Sequence, residues 1–323
     1  RTHKLTNRLN IRELSFFGRK QELSQLEEYL SLVETGEAVG PFLVMGQSGT
    51  GKKRLLRQLV LMSNRSFNFI KVEGKATSQR YEGSIWNDLK QALEKLGDEM
   101  GIPFLEGEDD LISVWNQLQG LSKEKPLLIL LENAQWIDAV SLEKVKQLEE
   151  RRNQEKWQLI FTAEEPLPDF FVNFLGGLKV EKRLSQLELT NFEPSESRAL
   201  LKGELGAIEP AVMEQMVEWS EGSPFLLSSY IEEWKENENL EPLPDIIQAY
   251  LSQELGDMSS EEEALLHYLS CFHKPISLSI LAELTATELP VLTELIEPLS
   301  ERAIVSIVEE GEALMVQFCK QLV

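Results

Sequence analysis

At 323 residues, with 42% hydrophobic and 27% charged residues, the chain is long enough for two or three domains with ordinary cores. Its net charge of −22 argues against a nucleic-acid-binding body. No apolar run reaches the length of a membrane span and no signal peptide is visible. Cys271 and Cys319 have no metal-ligand spacing, and neither do the three histidines, so a reducing cytoplasm is the expected setting. Beginning at Arg1 rather than Met, the chain reads as a fragment of a larger protein.

The first twenty residues carry Arg1, Lys4, Arg8, Arg12, Arg19 and Lys20 against Glu13 alone, and residues 1–15 read as a basic linker. Phe16 to Leu23 run into an amphipathic helix through Leu26 and Leu30. Next, the apolar run Phe42–Met45 predicts a strand. The loop Gly46-Gln47-Ser48-Gly49-Thr50-Gly51-Lys52-Lys53 follows, and Arg54 to Leu59 read as helix. Strand, glycine loop and helix are the setting a phosphate-binding loop requires. Glycines let backbone N–H groups turn inward as an anion nest, and the helix N-terminus adds partial positive charge. Lys52 is placed to reach the β- and γ-phosphates. The following position calls for a Ser or Thr hydroxyl to ligate Mg²⁺, and an ammonium, that of Lys53, stands there instead.

Residues 67–73 alternate like a strand, and 83–97 and 109–122 have helical spacing. Leu127–Leu131 are consecutive aliphatics, which fits a strand buried on both faces in a parallel sheet. Glu132 ends this strand at the edge where a nucleotide-binding sheet presents an acid. A helix from Ser141 through Leu148, a strand over 157–162 and another over 184–189 complete a βαβ pattern, hence a doubly wound α/β sheet. From Pro194 the pattern is helical, with helices near 209–220 and 224–236 and a turn at Gly222-Ser223-Pro224. Further helices are predicted over 246–255, 261–272, 278–284 and 289–299. Two alternating segments, 303–308 and 313–318, close a winged-helix pattern.

Together these motifs resemble the ATPase module of the STAND branch of AAA-like P-loop NTPases, found in LuxR/MalT-type regulators and in kinase- or cyclase-linked signalling proteins. Phe17-Gly18-Arg19, continued by Glu22 and Leu23, looks like the family's FxGRxxEL box, which implies an adenine-pocket role. Gly46–Lys52 is the P-loop. Glu132 to Asp138 with Ser141 and Leu142 is similar to the Walker B region, and Gly222-Ser223-Pro224 to the lid's GNP turn. Lys320 stands where the family often has a phosphate-sensing His. The resemblance implies a P-loop domain over 16–190, a helical lid over 191–245 and a winged helix over 246–323.

The departures bear on catalysis. Beside Lys53, Glu132 replaces the first Walker B Asp and keeps an acid able to hold Mg²⁺ through water. Asn133 replaces the second acid and cannot accept a proton from water. Glu164 follows Thr162 and Ala163 where an arginine is common. Loss of general-base assistance alone slows a reaction by roughly 10²–10⁴-fold. ATP or ADP is the expected cofactor, with Mg²⁺ in question. Three readings stand side by side: a nucleotide-binding regulatory module with weak or absent hydrolysis, a nucleotide-free pseudo-ATPase scaffold, and a slow ATPase using Glu132. A protein partner or flanking effector domain is expected, as is nucleotide-dependent assembly. DNA is not: residues 246–323 hold thirteen acids against three Lys/Arg.

Overall fold

The computed structural model describes residues 16–37, 39–107, 109–123, 125–152, 155–181, 183–240, 243–249, 258–272, 275–301, 304–310 and 313–318. The basic segment 1–15, most of the expected helix 246–255, and Lys320 lie outside them. The chain divides into two compact units, one ending at Asn191 and the other beginning at Phe192.

The first unit is a five-stranded parallel sheet: β1 (Phe42–Gly46), β2 (Asn68–Glu73), β3 (Leu127–Glu132), β4 (Trp157–Ala163) and β5 (Ser185–Leu189), in the order β2-β3-β4-β1-β5. Six helices accompany it: α1 (Lys20–Thr35), α2 (Lys52–Ser63), α3 (Ser84–Met100), α4 (Asp110–Ser122), α5 (Ala139–Arg151) and α6 (Asp169–Val180). β3 and β4 are buried along their whole length, as unalternating aliphatic runs require. One core joins Leu43, Ile129, Leu131 and Phe161 to α3, α4, α5 and α6. The other joins Val44, Leu128, Leu130 and Ile160 to α1 and α2. Alternate strand residues thus serve opposite layers.

Local chemistry sets the helix ends. α1 buries Leu26, Tyr29, Leu30 and Val33, one face of a 3.6-residue period, and stops at left-handed Gly36. Asp109 caps α4 by accepting from the amides of Leu111 and Ile112. α6 was not anticipated; Gly176 and Gly177 interrupt its pattern, and its helix is held by Phe171, Phe174, Leu175 and Leu178 in the core. Helix propensity is a weak prior that such packing overrides.

The second unit opens with three helices, α7 (Pro194–Leu205), α8 (Pro210–Ser220) and α9 (Pro224–Asn237). α7 begins on a capping box in which Glu193 and Glu196 satisfy each other's backbone N–H groups. Between α8 and α9, Gly222 has φ 73° and its carbonyl accepts from Phe192 N at 2.8 Å. A Cβ there would stand 2.0 Å from the Phe192 carbonyl oxygen, so only glycine fits. Residues 245–249 are helical. Three helices, α10 (Ser260–Ser270), α11 (Leu278–Thr285) and α12 (Leu289–Glu301), then combine with an antiparallel sheet of β6 (Ile276–Ser277), β7 (Val305–Glu310) and β8 (Ala313–Phe318), ordered β6-β8-β7. Leu265, Leu269, Leu281, Leu292, Ile296, Val305 and Val316 form its core. The short strand β6 is an addition to the expected hairpin.

A buried ion cluster ties the back of the first unit together. Glu149 of α5 accepts from Arg152 Nε at 2.9 Å and from Arg183 at 2.7 Å, and Arg152 also reaches the Val39 carbonyl. The Glu149 and Arg152 side chains are almost fully enclosed. Removing one partner strands an enclosed charge, a loss of about 3–5 kcal/mol. Glu149→Ala is therefore expected to lower unfolding stability by that amount in urea titrations, and a change within about 0.5 kcal/mol, the range of ordinary surface substitutions, contradicts this account.

Candidate functional site

β1 runs between β4 and β5 and delivers Gly46 to the carboxyl edge of the sheet. A Cβ on Gly46 would lie 2.6 Å from the Leu189 carbonyl oxygen and 2.8 Å from Thr50 Oγ1, so the loop can close only over glycine. Thr50 is buried and donates to the Gln47 carbonyl at 2.8 Å, while Gln47 and Ser48 are exposed. α2 starts at Lys52 after left-handed Gly51, with no side-chain cap. The N–H groups of an uncapped first turn are suited to an anion.

Lys52 is 7% exposed. Its ammonium donates to the carbonyls of Gly46 at 2.6 Å and Gln47 at 2.9 Å, and to Glu164 Oε2 at 3.2 Å. Burial lowers its pKa and Glu164 works against that shift. An ammonium has three donors, and all three are engaged; a phosphate oxygen must displace one partner.

Period-two alternation brings the other charges to the same side. Leu130 and Ile160 face α2; so, by alternation, do Glu132 after Leu130 and Thr162 after Ile160, and Glu164, one residue past β4, reaches Lys52 at the start of α2. Lys71 and Glu73 share that face of β2, and Glu73 pairs in register with Glu132. Lys53 donates to Glu73 Oε1, and this bond holds the Glu73 carboxyl below its ordinary pKa. Lys71 Nζ lies 2.8 Å from Glu132 Oε2, an ion pair without hydrogen-bond geometry. Asn133, at φ 54°, donates its amide N–H to Thr162 Oγ1 at 3.0 Å and Nδ2 to Glu73 Oε1 at 3.3 Å. The edge therefore carries three ammoniums, Lys52, Lys53 and Lys71, each paired with one of three carboxylates.

Magnesium, which the P-loop resemblance implies, does not fit this donor set. The hydroxyl position is an ammonium, the enclosed carboxylate of Glu132 faces a second ammonium, and the next acid is a carboxamide. No group of three or more His, Cys, Asp or Glu among the described residues is placed to hold a metal.

Arg19 sits at φ 57° and is mostly buried. Its guanidinium donates to the carbonyls of Thr50 at 3.2 Å and Thr190 at 2.5 Å and to Glu22 at 3.0 Å, fastening the Phe17-Gly18-Arg19 box to the loop. Phe17 is half-buried and Gly18 has φ 66°. Pro224 is the first residue of α9 in the second unit. Lys71 and Glu73 were not singled out in the sequence; their i, i+2 spacing in the strand beside β3 is the signal that points to them.

Asp138, the further acid after Glu132 in the stretch that carries the resemblance, is occupied elsewhere. It caps α5, accepting from Ser141 N at 2.8 Å, Ser141 Oγ at 2.6 Å, Gly83 N at 2.7 Å and Ile85 N at 3.4 Å. Burial alone pushes its carboxyl up, but the bonds from Ser141, Gly83 and Ile85 outweigh it and hold the pKa below the ordinary value. Asp138→Ala should reduce stability by about 2–4 kcal/mol at neutral pH. Since the folded pKa is the lower one, this contribution is complete above about pH 4 and is lost as pH falls through the folded value. Urea unfolding of both proteins at pH 7 and pH 3 checks it: the gap should narrow in acid.

Residues 15–161 match the model of the AAA ATPase domain. Among solved structures, a Walker-type ATPase of Pyrococcus abyssi is similar at 19% identity and TM-score 0.63, covering 95% of this chain and 94% of that one. The ORC2 protein of Aeropyrum pernix is similar at 16% identity and TM-score 0.60, covering 96% and 93%. At these identities the likeness speaks to fold. No curated protein matches the chain in sequence.

Proposed function

We propose that this P-loop, AAA-type NTPase module is an adenine-nucleotide-binding regulatory part of a larger protein, hydrolysing ATP weakly or not at all. The observation that carries the reading is the intact Gly46–Lys52 loop, with Lys52 seated inside it and the first turn of α2 uncapped. The matched domain family supports it, and the similar ORC2 structure is described with ADPNP and ADP. Asn133 in place of an acid, and Glu164 beside Lys52, argue against efficient phosphoryl transfer, which depends on electrostatic positioning.

Residues 16–190 would hold the nucleotide, with 191–245 as lid and 246–323 as winged helix. A switch of this kind moves a population from 1:99 to 99:1 with about 5.5 kcal/mol of differential binding, within reach of several charge-assisted phosphate contacts. The partner is a protein or a flanking effector domain. α12 exposes Glu294 and Glu297 to solvent, and Ile280, Leu284 and Val291 are exposed nearby in sequence; that surface repels phosphate backbones and suits a protein. A second reading, a scaffold that binds no nucleotide, is favoured by the complete pairing of Lys52, Lys53 and Lys71 with carboxylates.

Denaturing the purified protein and identifying released nucleotide, followed by ATP and ADP calorimetry and a phosphate-release assay, separates the readings. Binding without phosphate release is expected, and Lys52→Ala should weaken it about ten- to a hundredfold. Glu164→Gln removes the carboxylate that competes for Lys52 and should tighten ATP binding about three- to tenfold. Calorimetry silent for both nucleotides supports the scaffold. Phosphate release abolished by Lys52→Ala supports an ATPase.

A further inference from the structure

We propose that Lys53 and Lys71 together take the place of a magnesium ion, so that the loop receives a nucleoside di- or triphosphate in its metal-free form. This deepens the nucleotide-binding reading and rests on it. Lys53 is the second residue of α2, directly after the loop lysine, and Lys71 stands on the strand beside β3. Their side chains are 51% and 53% exposed. Each is held by a single carboxylate, Glu73 for Lys53 and Glu132 for Lys71, which leaves further N–H donors on each ammonium facing solvent.

Glu132 is the acid to which the P-loop resemblance would assign a metal, and Glu73 stands beside it. Glu73 and Glu132 are register partners at the ends of adjacent strands, and Asn133 Nδ2 donates to the same Glu73 oxygen that Lys53 reaches. Here they anchor ammoniums instead. Each ammonium keeps donors that its carboxylate does not take, on a side chain about half exposed. Two ammoniums carry the same formal charge as one Mg²⁺ and supply it through hydrogen bonds to phosphate oxygens rather than through coordination. A phosphate already carrying Mg²⁺ would bring that ion against two like charges, with no hydroxyl or unpaired carboxylate to complete its shell.

Calorimetry of the full chain with ATP, once in EDTA and once in excess Mg²⁺, tests this. The expected result is binding at least as tight in EDTA as in Mg²⁺. A double variant, Lys53→Thr with Lys71→Gln, restores a hydroxyl and releases Glu132; it should reverse the order, binding ATP at least tenfold tighter with Mg²⁺ than without. Lys71→Gln also leaves the enclosed Glu132 carboxylate without its ammonium, so circular dichroism must first show the double variant folded, and the single Lys53→Gln variant carries the test if it is not. Single Lys53→Gln should lose about tenfold in metal-free ATP affinity while AMP affinity is unchanged. Parent binding that strengthens tenfold on adding Mg²⁺ overturns the proposal and leaves nucleotide binding intact. Parent protein that binds ATP under neither condition overturns both.

Discussion

The pleat of a parallel strand decides which charges can meet in this protein. In β2, β3 and β4, alternate residues enter opposite layers, and the α2 layer receives Lys71, Glu73, Glu132 and Thr162. A one-residue slip in any of these strands would send its charged residues into the aliphatic layer against α3 to α6 and its aliphatics to the polar edge. Burial of Leu130 and Ile160 on one face, and Leu131 and Phe161 on the other, forbids that slip. The core thereby positions the site, although no core side chain takes part in it.

On that frame the site is balanced in charge and closely self-bonded. Lys52 is turned inward to two loop carbonyls and Glu164, Lys53 to Glu73, and Lys71 to Glu132. Pairs exposed on one side, like Lys53–Glu73, add little to stability. Their weight lies in competition: any anion entering the loop is weighed against carboxylates already present. Asp138 illustrates the opposite case, an acid whose four donors are all structural.

Much of the fold was legible because long apolar runs and glycine turns leave few alternatives. Leu127–Leu131 without alternation fits a strand covered on both faces, and β3 is buried along its whole length, while Gly46–Lys52 between strand and helix announced the loop. α6 was not legible, since its two central glycines hide a helix that core packing of Phe171 and Phe174 secures. The charge pairs were half legible. Lys53, Glu132 and Glu164 stood out as departures from a familiar pattern, but their partners Lys71 and Glu73 have no motif, and pairing across strands depends on register, which no single segment encodes.

Arg19 gives the loop a reach beyond its own contacts. One guanidinium grips Thr50, at the turn into α2, and Thr190, one residue before the chain leaves the first unit. A planar fork of fixed geometry cannot follow one of these carbonyls while ignoring the other. The end of the phosphate loop and the last residues of the first unit therefore share one buried cation, and loss of that single side chain would unfasten both at once.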